Sequence, residues 1–372
     1  MSWKVLEEIT TDLGKYAEIS GNYAIASNPA YNNGAANDGQ VRIYERKSNG
    51  TWTEVYLKNG DRLAEGNFGE SISINGNYAV VGENTYGSPG GTSYGRARFY
   101  ERKNGVWEEI QIIVSPEGTG LASQFGRGVA VSGNFAAIGA PVSGDGAGRV
   151  YWYKRNVDNG QWEQVGEPVV GNWTITLGGG AGGQFGTNIK MSGNYAIVGE
   201  YGYGDAAGTP GNGRAYWYEY INDSWKQVFF DDGKVAESTF GWGVGINGNY
   251  AIVGAPGVTG PAFPGYAYIY ERKYDGEWQL IKSLTGENDA DLFGEFVSIS
   301  GSYAMVGAAG FEIGAGDGRI YFYQRKKDGN WEQTDTNDGI GGQFGYAVSI
   351  DGNYAVGGAN NPGLLRFYQK SV

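Results

Sequence analysis

One short phrase occurs seven times in this chain, and its spacing limits the folds that the chain can adopt. Each copy has an aromatic residue or leucine followed by glycine, a short apolar run, a tight turn around glycine, and a second apolar run. The copies begin at Leu13, Phe68, Phe125, Phe185, Phe240, Phe293 and Phe344. Successive starts are 55, 57, 60, 55, 53 and 51 residues apart. A repeat of about fifty residues predicts a propeller, solenoid or array, because one such unit cannot bury its apolar faces alone.

The second copy indicates what each unit forms. Residues 71–74 alternate polar and apolar, residues 75–77 are Asn-Gly-Asn, and an apolar run follows at 78–82. Alternation interrupted by Asn-Gly is typical of a β-hairpin, whose tight turn needs positive φ. An aromatic-rich third strand follows near residues 95–102, and a fourth strand begins with Trp107. The pattern predicts an all-β fold, a seven-bladed β-propeller of four-stranded antiparallel blades.

The two ends of the chain complement each other. The last unit has three predicted strands and stops at Val372 without the tryptophan strand. Residues 2–10 contain Trp3 and resemble the missing strand. We therefore expect residues 1–372 to form a single propeller domain in which the N-terminal strand completes the last blade, so that no sheet edge is left exposed.

Composition excludes several classes of function. The chain has 28 Lys and Arg against 40 Asp and Glu, a net charge of −12, which disfavours nucleic acid and anionic membranes as partners. With neither cysteine nor histidine, it cannot form disulfides, zinc-thiolate sites or Ser-His-Asp triads. No signal peptide and no apolar run long enough to span a membrane is visible, so a cytoplasmic location or leaderless export is expected.

The repeated motif resembles a known family. Phe240-Gly241 with Gly254-Ala255-Pro256 resembles the FG-GAP repeat of the integrin α-subunit propeller, and the other copies are variants of it. The resemblance implies a seven-bladed propeller and a relation to adhesion receptors and FG-GAP lectins. Integrin repeats often carry a calcium loop between the first two strands. Here that connection is a tight turn with at most one carboxylate, Asp351, so neither a metal nor another cofactor is expected.

Unequal loops point to one face of the disc. The loops between the second and third strands, and between blades, are long and rich in glycine and aromatic residues, whereas the other connections are short. Because variable loops on a rigid scaffold usually carry function, we expect ligands on the long-loop face. The residue after each aromatic-Gly or Leu-Gly start also varies, and we expect it to rim the central channel. The candidate ligand-binding residues are Trp242, Tyr346, Trp173, Tyr203, Tyr31, Tyr86 and Arg127.

Two functions remain open at this stage. Exposed aromatic rings beside amide and carboxylate groups suit sugars, so the first prediction is a non-catalytic recognition module that binds carbohydrate. The alternative is a structural or protein-interaction propeller, in which the aromatic residues anchor long loops and the partner is a protein. An enzyme is not expected, because no histidine is present and no spacing of carboxylates suggests a catalytic pair.

Overall fold

The computed structural model describes residues 2–32, 34, 37–61, 66–87, 93–118, 122–143, 146–172, 182–204, 211–236, 238–257, 263–289, 291–310, 317–339, 342–360 and 363–371. They form seven antiparallel sheets arranged as a ring of blades, which confirms the predicted seven-bladed β-propeller. The first strand of each blade lies innermost and contacts the first strands of both neighbouring blades. These inner strands surround a central channel. The described residues include no helix long and apolar enough to cross a membrane.

The strands follow the repeat. The first three blades comprise β2 (Tyr16–Ser20), β3 (Tyr23–Asn28), β4 (Gln40–Arg46) and β5 (Trp52–Asn59); β6 (Ser71–Asn75), β7 (Tyr78–Glu83), β8 (Arg96–Lys103) and β9 (Val106–Val114); β10 (Gly128–Ser132), β11 (Phe135–Ala140), β12 (Arg149–Arg155), β13 (Trp162–Gln164) and β14 (Val169–Val170).

The fourth to sixth blades comprise β15 (Ile189–Ser192), β16 (Tyr195–Glu200), β17 (Arg214–Ile221) and β18 (Ser224–Asp232); β19 (Val244–Asn247), β20 (Tyr250–Ala255), β21 (Tyr266–Arg272) and β22 (Trp278–Thr285); β23 (Val297–Ser300), β24 (Tyr303–Ala308), β25 (Arg319–Arg325) and β26 (Trp331–Asp338). The last blade comprises β27 (Ala347–Asp351), β28 (Tyr354–Asn360), β29 (Gly363–Lys370) and β1 (Trp3–Thr10).

The third blade departs from the four-stranded expectation. Its outer edge consists of two short strands, β13 and β14, which both pair with β12. Gly166 and Pro168 lie between them, and Gly166 has a φ of 68°. Because proline has no N–H to donate and positive φ does not fit a strand, the ladder is interrupted at this point.

The start and the end of the repeated motif meet where one blade packs on the next: the end of the motif in one blade contacts the aromatic-Gly start of the motif in the following blade. In six blades a glycine near the end of the second strand packs against the glycine that begins the next blade, and in the first blade Ser27 takes this position and donates a hydrogen bond to the Gly69 carbonyl at 2.7 Å. A Cβ built on Gly139 would lie 1.9 Å from the carbonyl oxygen of Gly186. The phenylalanine that precedes such a glycine is fully buried, as Phe185 shows with 0% exposure. Motifs far apart in the chain are therefore two sides of one close contact between backbones, which leaves no room for a side chain.

The tryptophans of the outer strands fill the space between blades. Trp162 stacks on Phe99 of the preceding blade with ring centroids 5.0 Å apart, and Trp52 stacks on Phe367 at 4.4 Å. Both tryptophans are buried. The core of the propeller is thus a series of layers between neighbouring blades, each lined with large aromatic side chains.

The tight turns between first and second strands are joined around the ring. In each blade the residue before the turn glycine accepts a hydrogen bond from the backbone N–H of the corresponding glycine in the next blade. We call these seven acceptors the turn ring: Ser20, Asn75, Ser132, Ser192, Asn247, Ser300 and Asp351. A short side chain with an acceptor oxygen is needed at every one of these positions, which explains why the repeat uses Ser, Asn or Asp there.

Ring closure occurs as predicted. β1 pairs with β29 in antiparallel fashion, so the N-terminal strand completes the last blade. Arg366 binds Glu8 at 2.8 Å across this pair, and Trp3 stacks on Phe322 of the sixth blade with centroids 5.2 Å apart. At the inner end, the Gly21 N–H donates to Asp351 at 2.7 Å. The two ends of the chain therefore make the same contacts that join the other blades.

Candidate ligand site at the channel mouth

The residue after each aromatic-Gly or Leu-Gly start lies at one end of the channel. We call these seven residues the mouth ring: Lys15, Glu70, Arg127, Thr187, Trp242, Glu295 and Tyr346. All except Lys15 line a cavity of about 190 Å³. Lys15 borders this cavity through an ion pair with Glu70 at 3.6 Å.

A tight turn places six of these seven residues. The Trp242 N–H donates to the Thr239 carbonyl at 3.1 Å, and Gly241 between them has a φ of 91°. This is the geometry of a four-residue turn with glycine at its third position, where a side chain would strain the backbone. The backbone N–H groups of five further residues each donate an equivalent hydrogen bond to the carbonyl three residues earlier; they are those of Glu70, Arg127, Thr187, Glu295 and Tyr346. The backbone of the mouth ring is therefore repeated, while its side chains differ.

Aromatic rings occupy two parts of the cavity wall. Tyr201 packs against Trp242 with centroids 4.4 Å apart. Tyr346 packs against Phe296 at 4.8 Å and meets Tyr16 edge-on at 6.3 Å. Trp242 and Tyr346 are both half-buried and line the cavity. They present apolar surface next to polar groups, a combination that suits an amphipathic ligand.

An ionic cluster occupies another part of the wall. The Glu70 carboxylate accepts hydrogen bonds from Arg127 and from the Tyr16 hydroxyl, the latter at 3.2 Å. Burial works to lower the pKa of Arg127, but the charge of Glu70, its hydrogen bond and the nearby tyrosines together raise that pKa. Burial, and then the negative charge of Glu70, raise the pKa of Tyr16 well above its usual value. Near neutral pH, Arg127 is therefore charged and Tyr16 is a neutral donor.

Glu295 is the exception among the charged residues of the mouth ring. Within the described part of the chain, its Oε2 atom is buried and has no hydrogen-bond partner. Burial raises the pKa of Glu295 to about 7. Burial and then the charges of Glu295 and Glu70 also raise the pKa of Tyr346. The cavity wall thus contains a carboxyl group that changes charge near neutral pH and has one buried oxygen without a hydrogen-bond partner.

An ion pair forms the floor of the cavity. Lys190 on β15 reaches Glu18 on β2, from the fourth to the first blade, with 2.7 Å between Nζ and Oε2. Ser73 donates a further hydrogen bond to Glu18 at 3.3 Å. Both charged residues also line a second cavity of about 120 Å³ toward the turn ring. The pair therefore separates the mouth of the channel from its other half.

The candidate residues have different surroundings. Trp242, Tyr346 and Arg127 come together at the cavity, whereas Trp173 lies outside the described residues. The guanidinium of Arg96 lies 3.6 Å from the ring centre of Tyr86, and that of Arg214 lies 3.8 Å from that of Tyr203. In three loops the carbonyl of Tyr31, Tyr86 or Tyr203 accepts a hydrogen bond from a glycine near the start of the third strand. These three tyrosines hold their own loops and do not line the cavity.

Sequence reasoning did not single out Glu18 and Lys190. Both occupy the middle of an inner strand, where the other blades have Ser, Ala or Gly. Long charged side chains at a position where the other blades have small residues could have identified Glu18 and Lys190 as candidate functional residues. Their pairing was not readable, because 172 residues separate them and only the closed ring brings them together.

Comparisons with known proteins agree with this architecture. Residues 107–153 match the family described as FG-GAP repeat. No curated protein matches the chain in sequence. Among solved structures, the chain is similar to the periplasmic gluconolactonase of Pseudomonas aeruginosa, with 13% identity and a TM-score of 0.51 over 87% of this chain and 83% of that one. At this identity the likeness shows the fold alone.

This likeness also corrects one expectation. The sequence was taken to exclude an enzyme, because histidine and a recognisable carboxylate pair are missing. That exclusion was wrong, since a propeller structurally similar to most of this chain is described as a gluconolactonase. A propeller provides a cavity at its channel whatever the motifs on its strands, and chemistry there depends on the residues of the mouth.

Proposed function

The chain is an FG-GAP repeat β-propeller, and we propose that the mouth of its central channel binds a small carbohydrate. The observation that supports this most is the mouth ring. One backbone position, repeated in every blade, places Trp242 and Tyr346 around the same small cavity as Arg127, Glu70 and Glu295. The proposal retains the carbohydrate hypothesis drawn from the sequence and assigns it to the channel.

The chemistry of the wall suits a sugar ring. An aromatic face can pack against the C–H groups of a pyranose, and carboxylate, guanidinium and hydroxyl groups can bond to its hydroxyls. Thr187 and Asn188 add neutral polar groups to the lining. The volume of about 190 Å³ is below the range of about 300–1,000 Å³ that is typical of sites for drug-sized ligands. We therefore expect one sugar unit and not a chain of several.

Titration calorimetry against a panel of monosaccharides, with gluconolactone included, tests the proposal. We expect binding to the unmodified protein and at least tenfold weaker binding to Trp242→Ala, because an aromatic face in contact with the ligand is lost. Tyr203→Ala is the matched control, since Tyr203 stacks on Arg214 and does not line the cavity. This control should bind as the unmodified protein does.

Two further readouts complete the test. Acid release from gluconolactone measures hydrolysis, and turnover that is lost in Trp242→Ala would assign catalysis to the same cavity. Thermal melts of both variants check that the fold is intact. If no sugar of the panel binds, and light scattering shows a discrete assembly, the proposal is overturned and a protein-interaction propeller is favoured.

A further inference from the structure

We propose that the ligand of the channel mouth carries one carboxylate, so that the site takes a uronic or aldonic acid in preference to a neutral sugar. This inference depends on the proposed function and refines its ligand class. It starts from the charges that the fold collects around the cavity and from one oxygen atom that they leave without a partner.

The first step is the balance of charge. Of the described charged groups that line or border the cavity, three are cations: Lys15, Arg127 and Lys190. Two carboxylates pair with them, since Glu70 binds both Lys15 and Arg127 while Glu18 binds Lys190. One positive charge is therefore in excess if the remaining carboxyl, Glu295, is neutral. This local excess is unusual in a chain whose net charge is −12, and a ligand with one negative charge would balance it.

The second step is the state of Glu295. Its Oε2 is buried without a partner among the described residues, and burial alone favours the neutral acid over the carboxylate. Phe296, Tyr346 and the ion pair of Glu70 with Arg127 line the same cavity, and the charge of Glu295 acts on the Tyr346 hydroxyl. The raised pKa of Glu295 agrees with this geometry. A protonated Glu295 has an O–H that can donate to a carboxylate of the ligand.

The third step is the number of negative charges on the ligand. A carboxylate brings a single charge and two acceptor oxygens, which a protonated Glu295 and the guanidinium of Arg127 can share. A phosphate ester carries nearly two negative charges at neutral pH. It would exceed the single excess charge in the site and would be repelled by Glu70 and Glu18. The geometry therefore favours a carboxylated sugar over a phosphorylated one.

The experiment compares glucuronate with glucose, which share a ring and differ at one carbon, with glucose 6-phosphate as a third probe. At pH 6 we expect glucuronate to bind at least tenfold more tightly than glucose. Between pH 6 and pH 8 the affinity for glucuronate should fall about tenfold, because Glu295 loses its proton near pH 7 and then repels the ligand. The affinity for glucose should change much less.

Glu295→Gln tests whether the pH dependence of binding comes from the proton of Glu295. Glutamine keeps a donor at this position at every pH, so the variant should still prefer glucuronate but lose most of the pH dependence between pH 6 and pH 8. Arg127→Gln should lose the preference itself. A thermal melt of each variant at pH 6 confirms that it is folded, and Tyr203→Ala, which lies outside the cavity, serves as the control whose preference and pH dependence should not change.

The outcomes distinguish the two proposals. If none of the three probes binds and no other sugar does, the proposed function fails. If glucose binds as tightly as glucuronate, or if glucose 6-phosphate binds most tightly, the ligand class inferred here is overturned while sugar binding stands. A pH dependence that persists unchanged in Glu295→Gln would also contradict the assigned role of this residue.

Discussion

The two ends of the central channel are built from the same seven repeats, but the side chains are similar in all blades at one end and differ between blades at the other. At one end the turn ring has Ser, Asn or Asp in every blade, and each residue makes the same bond to the next turn. At the other end the mouth ring keeps the backbone turn but carries seven residues of widely different chemistry. Uniform positions hold the blades together, and positions where side chains diverge are free to serve a ligand.

The largest effect is expected where the closure of the ring is removed. Deletion of residues 2–10 takes away β1, exposes the edge of β29 and uncovers Phe322, on which Trp3 stacks. An unpaired sheet edge and an exposed aromatic layer promote aggregation. We expect a truncated chain that aggregates or melts far below the full chain, as measured by light scattering and circular dichroism. A truncated chain that melts normally would show that β1 contributes little to closure.

A single methyl group at a blade junction should have the next largest effect. Gly139→Ala places a Cβ 1.9 Å from the Gly186 carbonyl oxygen, so the two blades must move apart. We expect a loss of more than about 3 kcal/mol in the free energy of unfolding, because packed backbones cannot absorb such an overlap. Thr187→Ala, one residue beyond that contact and in the mouth ring, is the control and should cost no more than about 1 kcal/mol, because it removes only the hydroxyl that donates to the Gln184 carbonyl at 2.9 Å. Equal effects would contradict the division between uniform and variable positions.

The sequence was sufficient for the features that the repeat determines. Because the motif recurs at regular intervals, the number of blades, the strand order and the closure by residues 2–10 could all be predicted. The mouth ring followed from the same motif, since it is the next residue in each copy. Tyr86 and Tyr203 were candidates because they are aromatic residues in long glycine-rich loops, and the structure adds that Arg96 and Arg214 stack on their rings, a contact that the sequence did not reveal. Glu18 and Lys190 stand out as charged residues at a position that is small in the other blades, but their pairing depends on the closed ring and could not be predicted.

A pH-dependent effect on stability is expected at Glu295. Its pKa is about 7 in the folded chain and about 4.3 in an unfolded one, so folding retains a proton that the unfolded chain releases. The stability of the unmodified protein should therefore fall as pH rises from about 4.5 to about 7 and then level off. Glu295→Gln removes this penalty, and the variant should gain on the order of 3 kcal/mol between pH 4.5 and pH 8 relative to the unmodified protein. Denaturant unfolding at several pH values measures this difference in the free energy of unfolding. If the free energies of both proteins change with pH in the same way, Glu295 is not buried as described.

The smallest effect is expected in the turn ring, where each bond is one of seven. Ser132 is buried and accepts a hydrogen bond from the Gly193 N–H at 2.8 Å. Ser132→Ala leaves this N–H without that acceptor and should cost about 1 kcal/mol in the free energy of unfolding. Asn75→Ser is the matched control, because it exchanges one acceptor of the ring for another and should be nearly neutral. Sugar binding at the mouth should be unchanged in both variants, since the floor of Glu18 and Lys190 lies between the two ends of the channel. A loss of binding in Ser132→Ala without a loss of stability would show that the two ends do not work independently.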